Sequence, residues 1–144
     1  MKINKQLDFF LKLGRVHLHV SRVFDRSLGQ GIGFSEFLIL HSLATAPEKR
    51  LRRVDLADKI ALTQSGVTRL LLPMEKIGLV GRESCDEDAR VSYVTLAKSG
   101  ERILKDTLEK AEMLAEDMLP TVKLKHGQEA ADIFALFRLG MRIE

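Results

Sequence analysis

Four hydrogen-bonding side chains stand close together between Leu62 and Val80: Gln64, Ser65, Thr68 and Arg69. Helical spacing places them on the first two turns of one helix, with Val67, Leu70, Leu71 and Met74 on its apolar side. Thr63 is placed to cap this helix and Gly78 to stop it near Ile77. Side chains of these types read flat polar edges. Arginine can pair bidentately with guanine, and glutamine with adenine. Ser65 and Thr68 suit a phosphate equally well, which positions without specifying, and the free amides of a helix N-terminus add to that capacity. Pro73 lies well inside the helix and is expected to bend it after those first turns.

An amphipathic surface helix with ordinary caps would look similar, so the next segment matters. Leu79 to Ser84 and Val91 to Leu96 have strand composition, joined by a turn from Cys85 to Arg90. Arg82 and Arg90 bring positive charge, opposed by Asp86, Glu87 and Asp88. A net acidic turn suits a polyanion only if Asp88 pairs with a nearby arginine and fixes its direction. Arg90 is then free to lie in a narrow minor groove, where the potential is most negative. The alternative is a solvated ion pair contributing little. A polar-tipped helix followed at once by a basic hairpin is how a winged helix-turn-helix grips duplex DNA.

The rest of the chain must position that unit. Lys2 to about Leu28 reads as one long helix with Phe10, Leu13, Val20 and Phe24 on a face, ended by Gly29, Gly31 and Gly33. Ser35 is the expected cap of a second, almost wholly apolar helix from Glu36 to Ala46, closed by Pro47. Leu51 to Arg53 reads as a short extended piece, and Val54 to Ala61 as a short helix. A long helix follows from Lys98 to Leu119, with Leu104, Leu108, Ala111, Ala115 and Met118 in a heptad-like seam. Pro120 ends it, and a last helix from Gln128 to Arg142 carries Ile133, Phe134, Phe137 and Met141 on one face. Apolar-striped helices at both ends suit a dimer platform, and an intramolecular bundle is the simpler alternative.

The bulk properties agree. The 144 residues are 45% hydrophobic and 30% charged, with a formal net charge of +3, which favours an ordered domain and tolerates a polyanionic partner. The single cysteine, Cys85, cannot form an internal disulfide. Lys12, Arg15, His17 and His19 interrupt any signal-like apolar core, and no run approaches a membrane span, so a reducing, cytoplasmic setting is expected. No cofactor is expected. A metal site is disfavoured because Glu36 and His41 lack a third obvious ligand. Paired carboxylates, a Gly-rich phosphate loop and a Ser/His/Asp order are not evident, which argues against an enzyme.

The segment LRRVDLADKIALTQSGVTRLLLPMEKIGLVGRESCDEDARVSYVTLAKSG, Leu51 to Gly100, resembles the core of the MarR family of bacterial transcription regulators. Leu56-Ala57, Val67 to Arg69, Glu75 to Val80 and Asp88 to Arg90 fall in the family's order and spacing, and the flanking helices extend the likeness over nearly the whole chain. The resemblance implies a mainly α fold with a small β-hairpin wing. It implies one domain over 1–144, with a winged-helix module over about 34–97 and dimerisation helices over about 1–30 and 98–144. It further implies a homodimeric repressor on a pseudo-palindromic duplex, with Thr63 to Ile77 as recognition helix and Arg90 at the wing tip. The candidate DNA contacts are Gln64, Ser65, Thr68, Arg69, Arg82, Asp88 and Arg90, joined by Arg52 and Arg53. Arg52 replaces the family's usual Thr or Ser cap, Ala89 a common basic wing residue, and Ala97 a frequent Thr cap, so positive charge moves from the wing toward Arg52 and Arg53.

Such regulators commonly answer to a small anionic, often phenolic, effector held between the dimer platform and the DNA module. Arg15 and Arg22, on the stripe Lys12, Arg15, His19, Arg22 and Arg26, are candidates. His17 and His41 are candidates too, although their spacing among apolar residues reads first as core histidine. A winged-helix module binding protein, or a redox-responsive regulator using Cys85, are the competing readings. The acidic neighbours Glu83, Asp86 and Glu87 disfavour a reactive thiolate.

Overall fold

Asn4 starts the first helix, where its Oδ1 accepts the Leu7 amide at 2.8 Å. Helix α1 therefore runs Lys5–Ser27, not from Lys2. The structure is a computed structural model and describes residues 1–119. Gly29 and Gly31 turn the chain at φ +75° and +72°, a region other residues enter at a cost. Helix α2 spans Phe34–Ala44. Its cap is Gly33, not Ser35: the Gly33 amide donates to Glu36 Oε2 at 3.0 Å and the Phe34 amide to Asp25 Oδ1 at 2.9 Å. Two carboxylates thus satisfy free amides at the start of the helix. A Cβ at Gly33 would run into the Asp25 carboxylate.

Helix α2 ends two residues earlier than expected, and Pro47 opens a 3-10 turn, Pro47–Lys49. Strand β1, Arg50–Arg52, leads into α3, Arg53–Lys59. Ala61 then adopts φ +56°, and the Leu62 amide reaches back to the Ala57 carbonyl at 3.0 Å. This is a helix stop that usually uses glycine. Helix α4 spans Gln64–Lys76, capped by Thr63 Oγ1 on the Gly66 amide at 3.0 Å. It continues through Pro73, whose missing N–H would have served the Arg69 carbonyl. Gly78 closes it at φ +79°, with the Leu79 amide on the Met74 carbonyl at 2.9 Å.

Strands β2, Val80–Ser84, and β3, Ser92–Leu96, form the expected hairpin. The extended piece near Leu51 proves to be its third strand. Among the described residues the sheet is antiparallel in the order β1-β3-β2, with Leu51 and Arg82 both opposite Val94. Helix α5, Lys98–Met118, starts at Ala97 with no side-chain cap. Gly100 lets it pass over the Leu79 backbone, where a Cβ would overlap the carbonyl. Helix-turn-helix α3–α4 followed by the β2–β3 wing is a winged-helix arrangement, mainly α.

Ile39, Leu40, Leu43, Leu56, Val67, Leu71 and Val94 are wholly buried. They gather α2, α3, α4 and the sheet around one core, each large side chain contributing about 1.5–3 kcal/mol of burial. A smaller cluster joins Phe24, Leu28 and Ala111, with Phe24 and Phe34 ring centres 4.9 Å apart. It docks the end of α1 on α5.

The expected seam on α5 divides. Leu104, Ala111 and Met118 pack inward, together with Thr107 and Leu114, while Leu108 and Ala115 lie on the exposed side. Helix α1 likewise exposes Leu11, Leu13, Val16 and Leu18. His17 and His41 are exposed, not core residues, and His41 stacks on Phe37 with ring centres 6.4 Å apart. The helix expected at Gln128 to Arg142, with Ile133, Phe134, Phe137 and Met141, lies outside the described residues. Among the described residues no helix is long and apolar enough to cross a membrane.

Candidate nucleic-acid interface

The apolar residues of α4 choose which side faces out. Val67, Leu71 and Met74 are buried at spacings of four and three, with Leu70 packed beside them. That leaves Gln64, Ser65 and Arg69 exposed on the opposite side of the first turns. Among the described residues no carboxylate pairs with Arg69. Its planar fork is available for a bidentate acceptor. The helix carries no acidic residue in its first turn, so nothing there opposes an incoming anion.

Thr68 is half-buried, and its Oγ1 accepts from Arg53 Nη1 at 3.0 Å. Arg53 opens α3, so this bond ties the helix-turn-helix across its turn. Among the described residues Arg53 Nε is buried without a partner. Arg52 is engaged differently. Its Nε and Nη2 hold Asp55 bidentately at 2.7 and 3.1 Å, which pushes its pKa above the ordinary value and spends part of its charge locally.

In the wing, Asp88 Oδ1 accepts the Arg90 amide at 3.0 Å and Arg90 Nε at 3.3 Å. The carboxylate organises the turn and holds the root of the guanidinium, while the Arg90 side chain remains 93% exposed. Arg82 behaves as an anchor: Nε reaches Glu75 Oε1 at 2.8 Å and fastens β2 to the end of α4. Sequence reasoning placed Arg82 among the free cations because Glu75 comes beside it only after the chain has turned at Gly78. Arg50 was not singled out at all. It bridges Glu48 at 2.6 Å and Glu83 at 3.2 Å and lies 4.7 Å from the centre of the Tyr93 ring, bracing the outer strands of the sheet. The Glu83 bond pushes its pKa up. Cys85 is half-buried at the start of the wing turn.

Four residues are considered for an effector. Arg15, His17 and Arg22 are exposed on α1 and His41 on α2. A cleft of about 500 Å³ at the α1–α2 corner is lined by Asp25, Arg26, Glu36 and Leu70 among others, and by none of those four. Among the described residues no three His, Cys, Asp or Glu side chains gather as a metal site would need.

Comparison with known proteins gives the geometry a context. Residues 34–92 match the sequence profile of the MarR family. The chain is 29% identical over 108 residues to an uncharacterized HTH-type transcriptional regulator, YdgJ of Bacillus subtilis, covering 75% of this chain and 65% of that protein. It spans less than two thirds of the length of the curated relatives it matches. The fold resembles that of Sco3205, a MarR family transcriptional regulator from Streptomyces coelicolor crystallised in complex with DNA. The TM-score is 0.78 at 24% identity, over 94% of this chain and 88% of that one. It also resembles BpsR of Bordetella bronchiseptica, studied for regulation of its DNA binding by 6-hydroxynicotinic acid. Here the TM-score is 0.72 at 18% identity, over 92% of this chain and 96% of that one.

Proposed function

We propose, from the match of residues 34–92 to the MarR family profile, that this chain is a MarR-family transcription regulator that binds double-stranded DNA sequence-specifically. It acts as a homodimeric repressor that a small anionic or phenolic molecule releases. The observation that carries the DNA reading is the exposed Arg69, unpaired among the described residues, on the outer side of α4 beside Gln64 and Ser65. The opposite side of that helix is locked into the core by Val67, Leu71 and Met74. A rigid helix presenting polar side chains on its first turns is what the major groove admits. Arg69 and Gln64 read base edges, Ser65, Thr68, Arg52 and Arg53 meet phosphates, and Arg90, directed by Asp88, enters the minor groove. Arg82 supports the wing from behind.

In this reading residues of about 34–97 form the DNA module, and the segments of about 1–30 and 98–144 form the dimer platform. The apolar side chains that α1 leaves exposed supply the surface a second copy would cover. The DNA-bound state of Sco3205 and the ligand-regulated binding of BpsR support the two halves of the proposal. Repression follows from occupancy, since a dimer seated on a promoter excludes other proteins from the same duplex.

The test is binding to a random-sequence duplex across a salt series, followed by selection of the preferred site. Affinity should fall linearly with salt on logarithmic axes, and the selected site should be pseudo-palindromic with half-sites about one helical turn apart. Binding that ignores salt, or no binding with retained affinity for a protein partner, would favour a protein-interaction module instead.

A further inference from the structure

The bond between Arg53 Nη1 and Thr68 Oγ1, at 3.0 Å, has a fixed direction. Arginine has five donors and no acceptor, so Arg53 gives and Thr68 receives. The threonine oxygen thereby fills one lone pair, and its single proton must be donated elsewhere. Among the described residues no acceptor takes it. Arg53 is itself incompletely satisfied: Nε is buried and unpartnered. The neighbouring carboxylate, Asp55, is held by Arg52. A half-buried cation with an idle donor and no counter-charge among the described residues carries a desolvation cost that an arriving anion would offset.

We propose that Arg53 and Thr68 form a preassembled clamp for one backbone phosphate of the duplex. Arg53 is the positioning residue that turns Thr68 into an obligate donor. This rests on the DNA-binding reading above and gives one of its contacts a definite chemistry. The cation and the outward hydroxyl proton both match a phosphate oxygen. Neither matches the exocyclic amino group of adenine or cytosine, which is itself a donor. Guanine N7 and O6 would accept the same donors, but only a phosphate contact operates on a duplex of any sequence. In this proposal Thr68 sets the register of α4 without reading sequence, and base discrimination is left to Arg69 and Gln64.

A double-mutant cycle on a short random-sequence duplex tests the clamp, because a phosphate contact needs no particular operator. Arg53→Gln and Thr68→Val should each weaken binding several-fold, and the double variant should be no weaker than Arg53→Gln by itself. The logarithmic salt slope should fall by about one in Arg53→Gln and in the double variant. Thr68→Ser keeps the hydroxyl and should restore wild-type affinity. A tether that merely held α3 against α4 would lower the melting temperature and leave the slope unchanged. Additive losses, an unchanged slope, or Thr68→Ser as weak as Thr68→Val would each overturn the clamp. Thr68→Ala reads the same cycle if the valine variant does not fold. If the wild-type protein shows no salt-dependent affinity, the DNA reading falls and the clamp with it. If wild type binds and the cycle is additive, only the clamp falls.

Discussion

Two arginines illustrate how local surroundings separate side chains of the same type. Arg69 is exposed on a helix whose other side is fixed in the core, and no carboxylate among the described residues draws it away. Arg90 is 93% exposed at its side chain and guided only at its root by Asp88. Their substitutions should separate accordingly. Arg69→Ala is expected to cost about 1–3 kcal/mol on the preferred duplex, relax preference at one position per half-site, and change little on a scrambled one. Arg90→Ala should weaken binding on most sequences and make the salt slope shallower. Titrating both variants on both duplexes across a salt series decides it. Equal losses for Arg69→Ala on the two duplexes, with no effect from Arg90→Ala, would show that the winged helix does not dock as argued. The residue types at these positions were readable in sequence. The partners of Thr68 and Arg82 were not, because Arg53 and Glu75 lie 15 and seven positions away and meet them only across a turn.

The helices begin and end where particular side chains satisfy free backbone groups. Asn4 and Thr63 do so with their own oxygens, while Gly33 relies on Glu36 and Asp25 relieves the next amide. Helix α5 lacks such a device. Ala97 occupies its N-cap with φ −78° and ψ 159°, the extended geometry from which a short polar side chain caps, but has no side-chain acceptor. Ala97→Ser should therefore stabilise the fold by about 1 kcal/mol, read as a higher urea midpoint at unchanged slope. A midpoint that stayed put or fell would mean that the first turn of α5 is already satisfied by other means. Helix α4 runs on through Pro73 to Lys76, since a helix packed into a core can absorb one lost bond more easily than it can abandon the contacts of Met74.

At the largest scale, α1 and α5 leave apolar side chains exposed among the described residues. Val16 and Leu18 are 58% and 65% exposed on α1, and Leu108 and Met113 are 40% and 59% exposed on α5. Exposure of this extent along two neighbouring helices is unusual for a protein that works alone. Sedimentation at micromolar concentration should give about twice the chain mass. Leu108→Glu should weaken the dimer and, through it, DNA binding, because the charge would be buried without a partner. Full dimer stability in that variant, or a monomer that binds duplex tightly, would place the interface elsewhere. The companion position Phe137 lies outside the described residues.

The helix-turn-helix and its hairpin are legible in the order of residues, because both are local. The apolar spacing of Val67, Leu71 and Met74, the Thr63 cap, the Gly78 stop and the strand composition on either side of Cys85 act over a few residues each. What depends on meetings between distant segments was settled by folding. Folding made Arg50–Arg52 an outer strand of the sheet and engaged Arg82 with Glu75 at the end of α4. It turned Leu108 outward on a helix whose next turns pack inward, and it left His17 and His41 exposed although their neighbours in sequence are apolar. Periodicity fixes which residues share a helical face. It does not fix how much of that face a neighbouring element covers, because coverage depends on where the neighbour ends and at what angle it arrives.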